Sequence, residues 1–82
     1  MVTGKLKNRL LLLVQEKERQ AGRRIKASEI AAESGVAPTV IGRWMRNEVD
    51  RLDAPIIEKL CAYFQCDVGD LLYLDYGEAR EE

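Results

Sequence analysis

The stretch Pro38-Thr39-Val40-Ile41-Gly42-Arg43-Trp44-Met45-Arg46 carries the residues whose chemistry is easiest to name. Wound as a helix, it gathers Val40, Ile41 and Trp44 on one face and Pro38, Thr39, Gly42, Arg43 and Arg46 on the other. An arginine there can offer a bidentate fork to O6 and N7 of guanine. A threonine one turn earlier brings a hydroxyl, or a methyl suited to thymine. Gly42 costs about 1 kcal/mol in a helix interior relative to alanine, a cost explained if the backbone must approach something closely. The competing reading is bland, with Arg43 an ordinary solvated side chain and Gly42 drift.

A second set of cations brackets this stretch. Arg23, Arg24 and Lys26 stand just before a segment predicted to be helical over 27–34, whose N-terminus offers free N–H groups and the positive end of the helix dipole. Arg46, Asn47 and Arg51 flank the far end. Groups so placed can grip phosphates on either side of a groove, which positions a protein without reading sequence. Each one alone is an ordinary surface charge; their placement at both ends of the reading segment makes the set informative.

The overall charge of −1 hides a strong asymmetry. Residues 1–51 hold eleven basic side chains against six acidic ones, and residues 52–82 hold two against eight. That distribution suits one face for a polyanion and another that repels it, although two unevenly composed solvated faces would look the same.

The elements that must position these groups are legible as helices. Leu6, Leu10, Leu13 and Lys17 fall on one stripe, with Leu11 and Val14 alongside, which predicts an amphipathic helix from about Lys5 to Gln20 that stops at Gly22. A short helix over about 27–34 follows, with Ile30 and Ala31 inward, ending at Gly35. The third opens on Pro38, suited to a first turn because its missing N–H costs nothing there, and closes at Asn47. Asp53 is placed to cap a fourth helix over about 54–64, and Asp67 a fifth containing Val68, Leu71 and Leu72. Tyr73, Leu74 and Tyr76 could form a small symmetric contact or fold back onto their own chain. Residues 78–82 read as an acidic, frayed tail to a single domain over 1–77.

Within this frame, residues 27–46 have the pattern of a helix-turn-helix. Two helices joined by so short a turn cross steeply, so a small residue, Ala31, must sit at the closest approach. The turn needs a left-handed residue, which Gly35 supplies. Ile41 and Trp44 share the inward face of the third helix, and Val36 plugs the turn.

Other chemistry finds little support. The chain has no histidine and only two cysteines, Cys61 and Cys66, which together cannot complete a four-ligand zinc site. They read as reduced, partly buried thiols, with a redox switch or a metal shared across a dimer as the alternatives. There is no phosphate-binding glycine loop and no carboxylate pair beside an evident cleft, so neither an enzyme, a cofactor nor a small-molecule ligand is expected. The apolar run Leu10 to Val14 is far too short to span a bilayer and no signal peptide is recognisable. The expectation is a soluble, cytoplasmic protein without membrane partners.

The chain resembles the lambda-repressor/Cro-like (XRE class) helix-turn-helix family from Leu10 to about Leu72. The likeness rests on Ser28-Glu29-Ile30-Ala31, on Gly35-Val36 through Ile41-Gly42-Arg43-Trp44, and on Ile56-Ile57-Glu58-Lys59-Leu60-Cys61 through Cys66-Asp67-Val68-Gly69-Asp70-Leu71-Leu72. It implies an all-α, compact five-helix domain, sequence-specific binding of double-stranded DNA and regulation of transcription, commonly as a homodimer on a palindromic site. Three departures stand out: Ala27 where the family often has glutamine, Ala37-Pro38 in place of the usual serine cap and following polar residue, and a longer, more basic loop from Glu18 to Ile25. Arg23 or Arg24 could stand in for the missing glutamine contact. The alternative is a helical protein-interaction or antitoxin-like module on the same fold.

Overall fold

In a computed structural model, which describes residues 4–49 and 51–76, the chain runs β1 (Lys5–Asn8), α1 (Leu10–Ala21), α2 (Ala27–Ser34), α3 (Pro38–Met45), α4 (Ala54–Phe64), α5 (Val68–Leu71) and β2 (Leu72–Asp75). The acidic segment 78–82 lies outside the described residues. The five expected helices are present, but the molecule is not strictly all-α. Strands β1 and β2 pair as an antiparallel two-stranded sheet in the register Lys5↔Asp75, Leu6↔Leu74, Lys7↔Tyr73 and Asn8↔Leu72.

This sheet corrects the first predicted helix, which begins at Leu10 rather than Lys5. Residues 5–8 alternate, Lys5 and Lys7 on one face and Leu6 and Asn8 on the other, the period of a strand. Lys7 Nζ meets Asp75 at 3.0 Å, and the Arg9 guanidinium lies 4.2 Å from the centre of the Tyr73 ring. Asn8 then turns the chain, its side-chain oxygen accepting the N–H of Leu10 at 2.9 Å and so satisfying one of the free donors of the α1 N-terminus.

Leu10 and Val14 of α1 join Ile25, Ile30, Ala31, Val36, Ile41, Trp44, Leu60 and Leu71 in one buried core. Leu11 and Leu12 stay outside, about half exposed. Lys17, expected on the inward stripe, keeps its ammonium 4.8 Å from the centre of the Tyr63 ring, its stem on the protein and its charge at the edge. The loop after α1 is held by Glu18, whose carboxylate accepts the Ile25 N–H at 2.8 Å and brings Ile25 back to the core.

The C-terminal half supports this core from behind. Leu60 of α4 is fully buried, while Ile56, Ile57, Cys61 and Phe64 are partly so. Asp53 occupies the cap position of α4 without making a side-chain capping bond. Gln65 ends α4 in the left-handed conformation (φ 54°), its N–H reaching Ala62 and the Cys66 N–H reaching the Cys61 carbonyl at 3.0 Å. That is a Schellman turn, in which the first and last residues of the motif make an apolar contact. Cys61 and Cys66 hold those two places. Among the described residues, no helix is long and apolar enough to cross a membrane.

Candidate nucleic-acid interface

The helix-turn-helix is α2, the turn 35–37 and α3. Gly35 closes α2 at φ 83°, its N–H bonded to the Ala31 carbonyl at 2.9 Å. A Cβ there would meet nothing nearer than the Lys59 stem at 3.8 Å, so conformation rather than space requires the glycine. The Ser34 hydroxyl accepts the Val36 N–H at 3.2 Å, and Val36 is buried beneath the turn. Pro38 stands in the first turn of α3, behind Ala37, which has no side chain to cap with. Ile41 and Trp44 are buried, Val40 partly so. They fix the rotation of α3 about its axis and thereby what it shows outside.

The outward face of α3 carries Pro38, Thr39 and Arg43, all exposed, with Gly42 half-buried between them and Arg46 at the end. The atom nearest to a Cβ built on Gly42, apart from the helix's own backbone, is Arg46 Nη1 at 3.3 Å. The missing side chain therefore makes room for Arg46 to lie back across the helix. Arg43 Nη2 makes a long contact of 3.5 Å to the Glu48 carbonyl. Arg43 and Arg51 line a common cleft whose apolar walls are Val40, Trp44, Val49 and Ile56. Sequence separation gave no sign of that convergence.

The flanking cations divide into two kinds. Arg24, Lys26 and Arg51 are exposed. Arg23 and Arg46, exposed as well, carry carboxylate partners. Arg23 forms a fork with Glu29, Nη2 to Oε2 at 2.6 Å and Nη1 to Oε1 at 3.1 Å, and Arg46 Nε meets Glu48 Oε1 at 3.1 Å. The hydrogen bonds from Arg23 hold the Glu29 carboxyl below its ordinary range, and the same contact raises Arg23. Asn47 is left-handed at φ 57°, as its place after α3 predicts, and its Oδ1 accepts the Asn8 N–H at 2.8 Å. That structural bond between the end of α3 and β1 was not legible in the sequence.

No cluster of three or more potential metal ligands occurs among the described residues. No curated protein and no solved structure matches the chain. The profile of the Cro/C1-type helix-turn-helix DNA-binding domain matches residues 17–75, a span that takes in α2, the turn, α3, α4, α5 and β2. The chain belongs to the Cro/C1-type helix-turn-helix DNA-binding domain family.

Proposed function

We propose that this protein is a sequence-specific DNA-binding regulator of transcription that lays α3 in the major groove. The observation that carries the reading is the division of α3 itself: Ile41 and Trp44 anchor it in the core while Thr39 and Arg43 face outward with Pro38. In helix-turn-helix docking the N-terminal part of the second helix reaches base edges and its far end approaches the backbone. Pro38, Thr39, Gly42 and Arg43 then form the base-reading set. Arg23, Arg24 and Lys26 hold phosphate on one flank, and Arg46, Asn47 and Arg51 on the other. With its Oδ1 given to Asn8, Asn47 contributes its amide N–H groups.

With so few polar groups on the reading face, DNA shape and deformability carry a large share of recognition. A palindromic site calls for a two-fold dimer, and Leu6 and Leu74, directly opposite on the sheet and both exposed, are the apolar surface for it. Such a regulator works in the cytoplasm and needs no cofactor.

Titration of fluorescent duplexes against salt tests the reading. Affinity should fall steeply as salt rises, with a slope set by the number of phosphates contacted. No binding at low salt to any random or palindromic duplex would sink it.

A further inference from the structure

Two of the five cations assigned to phosphate, Arg23 and Arg46, are already occupied by carboxylates of this chain. The Arg23–Glu29 fork and the Arg46–Glu48 pair stand at opposite ends of the helix-turn-helix, one at the first turn of α2 and one after α3. Both arginine side chains are 59% exposed, so solvent and a polyanion reach them. A carboxylate taking a guanidinium in this way uses the same donors that a phosphate would take.

We propose that Glu29 and Glu48 are built-in phosphate competitors that set how tightly this protein holds DNA. The inference rests on the DNA-binding reading above. A phosphate that takes Arg23 or Arg46 must displace the resident carboxylate, and the displaced charge stays beside the nucleic acid and repels it. Exposed ion pairs are individually weak, so displacement is possible, but each carboxylate cancels one positive charge of the interface. Fewer counterions are then released from DNA per protein bound. The competition acts on the backbone and not on base edges, so it lowers affinity for all sequences together and leaves the preference to α3.

The distances also separate the two partners. Glu29 makes two contacts and is 29% exposed, whereas Glu48 makes one and is 57% exposed. Arg46 is thus the readily released cation and Arg23 the more firmly held one. Neutralising Glu29 should therefore have the larger effect.

The test is a comparison of wild type with Glu29→Gln and Glu48→Gln on a selected site and on random duplex across a salt series. Each variant should bind both duplexes about 3- to 10-fold more tightly at low salt, the scale of one like charge removed from beside a phosphate in water. The salt slope should steepen by about one unit per variant, and the ratio between the two duplexes should hold. Adding Glu48→Gln to an Arg46→Ala background should give a much smaller gain. Variants that bind no more tightly than a wild type that itself binds DNA overturn the competition and leave DNA binding standing. Weaker binding by Glu48→Gln also overturns it, because Glu48 would then be aiming Arg46 at phosphate. Failure of wild type and both variants to bind at low salt overturns this inference and the reading beneath it together.

Discussion

The backbone N–H of Asn8 donates to the side-chain oxygen of Asn47 at 2.8 Å, and this one bond ties the N-terminal strand to the end of α3 across the sequence. Asn8 is the only buried polar residue among those described. Its own side chain caps the first turn of α1 through Leu10. Asn47 therefore has two jobs, a left-handed turn after α3 and an acceptor for the strand.

These jobs can be separated by substitution. Asn47→Gly keeps the backbone conformation and loses the acceptor, at about 1 kcal/mol. Asn47→Ala loses the acceptor and also the short polar side chain that lets asparagine tolerate the left-handed region, for a total of about 2–3 kcal/mol. Urea denaturation of the two variants should rank them in that order. Equal losses would mean that the side-chain bond contributes everything and the conformation nothing.

Gly42 offers a test of whether the outer face of α3 is an approach surface. On helix propensity alone Gly42→Ala should stabilise the protein by up to about 1 kcal/mol. The added Cβ would press on Arg46 Nη1, the flexible end of a side chain, which can move. A variant that melts higher and binds DNA more weakly places the backbone of Gly42 close to the nucleic acid. A higher melting temperature with unchanged binding makes the glycine merely costly.

How far the sequence revealed this arrangement depends on how local the deciding interactions are. The helix-turn-helix was legible because Ala31, Gly35, Ile41 and Trp44 act within a few turns of one another. The inward and outward faces of α3 follow from spacing alone. The sheet was not, because Lys5, Leu6 and Lys7 also suit a helix, and what makes them a strand is pairing with Leu72–Asp75 at the other end of the chain. Ion pairs were illegible for a related reason. Spacing does not single out Glu29 or Glu48, and only the folded loop brings Arg23 onto Glu29. The cleft shared by Arg43 and Arg51 likewise depends on the path of the α3–α4 loop.

The exposed pair Leu6 and Leu74 is the surface proposed above for a dimer. If a second copy covers these leucines, sedimentation of wild type at micromolar concentration should give a dimer, and Leu74→Ser should shift it to monomer with little change in helix content. A wild type that sediments as a monomer, both free and on a palindromic duplex, removes the dimer. The Leu6–Leu74 pair would then be surface apolar area and nothing more.

The Cys61–Cys66 contact gives a pH dependence whose sign is fixed. Burial first, and then the neighbouring Cys61, push the Cys66 thiol up to about 11 from an ordinary value of 9.0. The folded state therefore keeps a proton that the unfolded chain releases. The resulting stability is complete below about pH 9 and is lost as pH rises towards 11. The urea midpoint of wild type should fall across that window more than that of Cys66→Ala. Alkylation of Cys66 in the folded protein should stay slow at pH 9, since the thiolate is the reactive form. Equal pH profiles for the two proteins would refute the shift.

Arg43 and Arg51 line one cleft, yet the docking proposed above gives them different work, and this is the sharpest check on its register. A guanidinium that forks onto a guanine edge contributes about 1–3 kcal/mol of discrimination, so Arg43→Ala should lose that much on the selected site and relax one base position. A guanidinium on phosphate contributes without regard to sequence. Arg51→Ala should weaken all duplexes about equally and lower the salt slope by about one. Selection of bound sites from random DNA, repeated with each variant, reads both effects at once. If the Arg43 variant selects the same site as wild type and only binds it more weakly, both arginines hold the backbone. The base-reading set then shrinks towards Pro38 and Thr39, and α3 must lie rotated in the groove relative to the proposed docking.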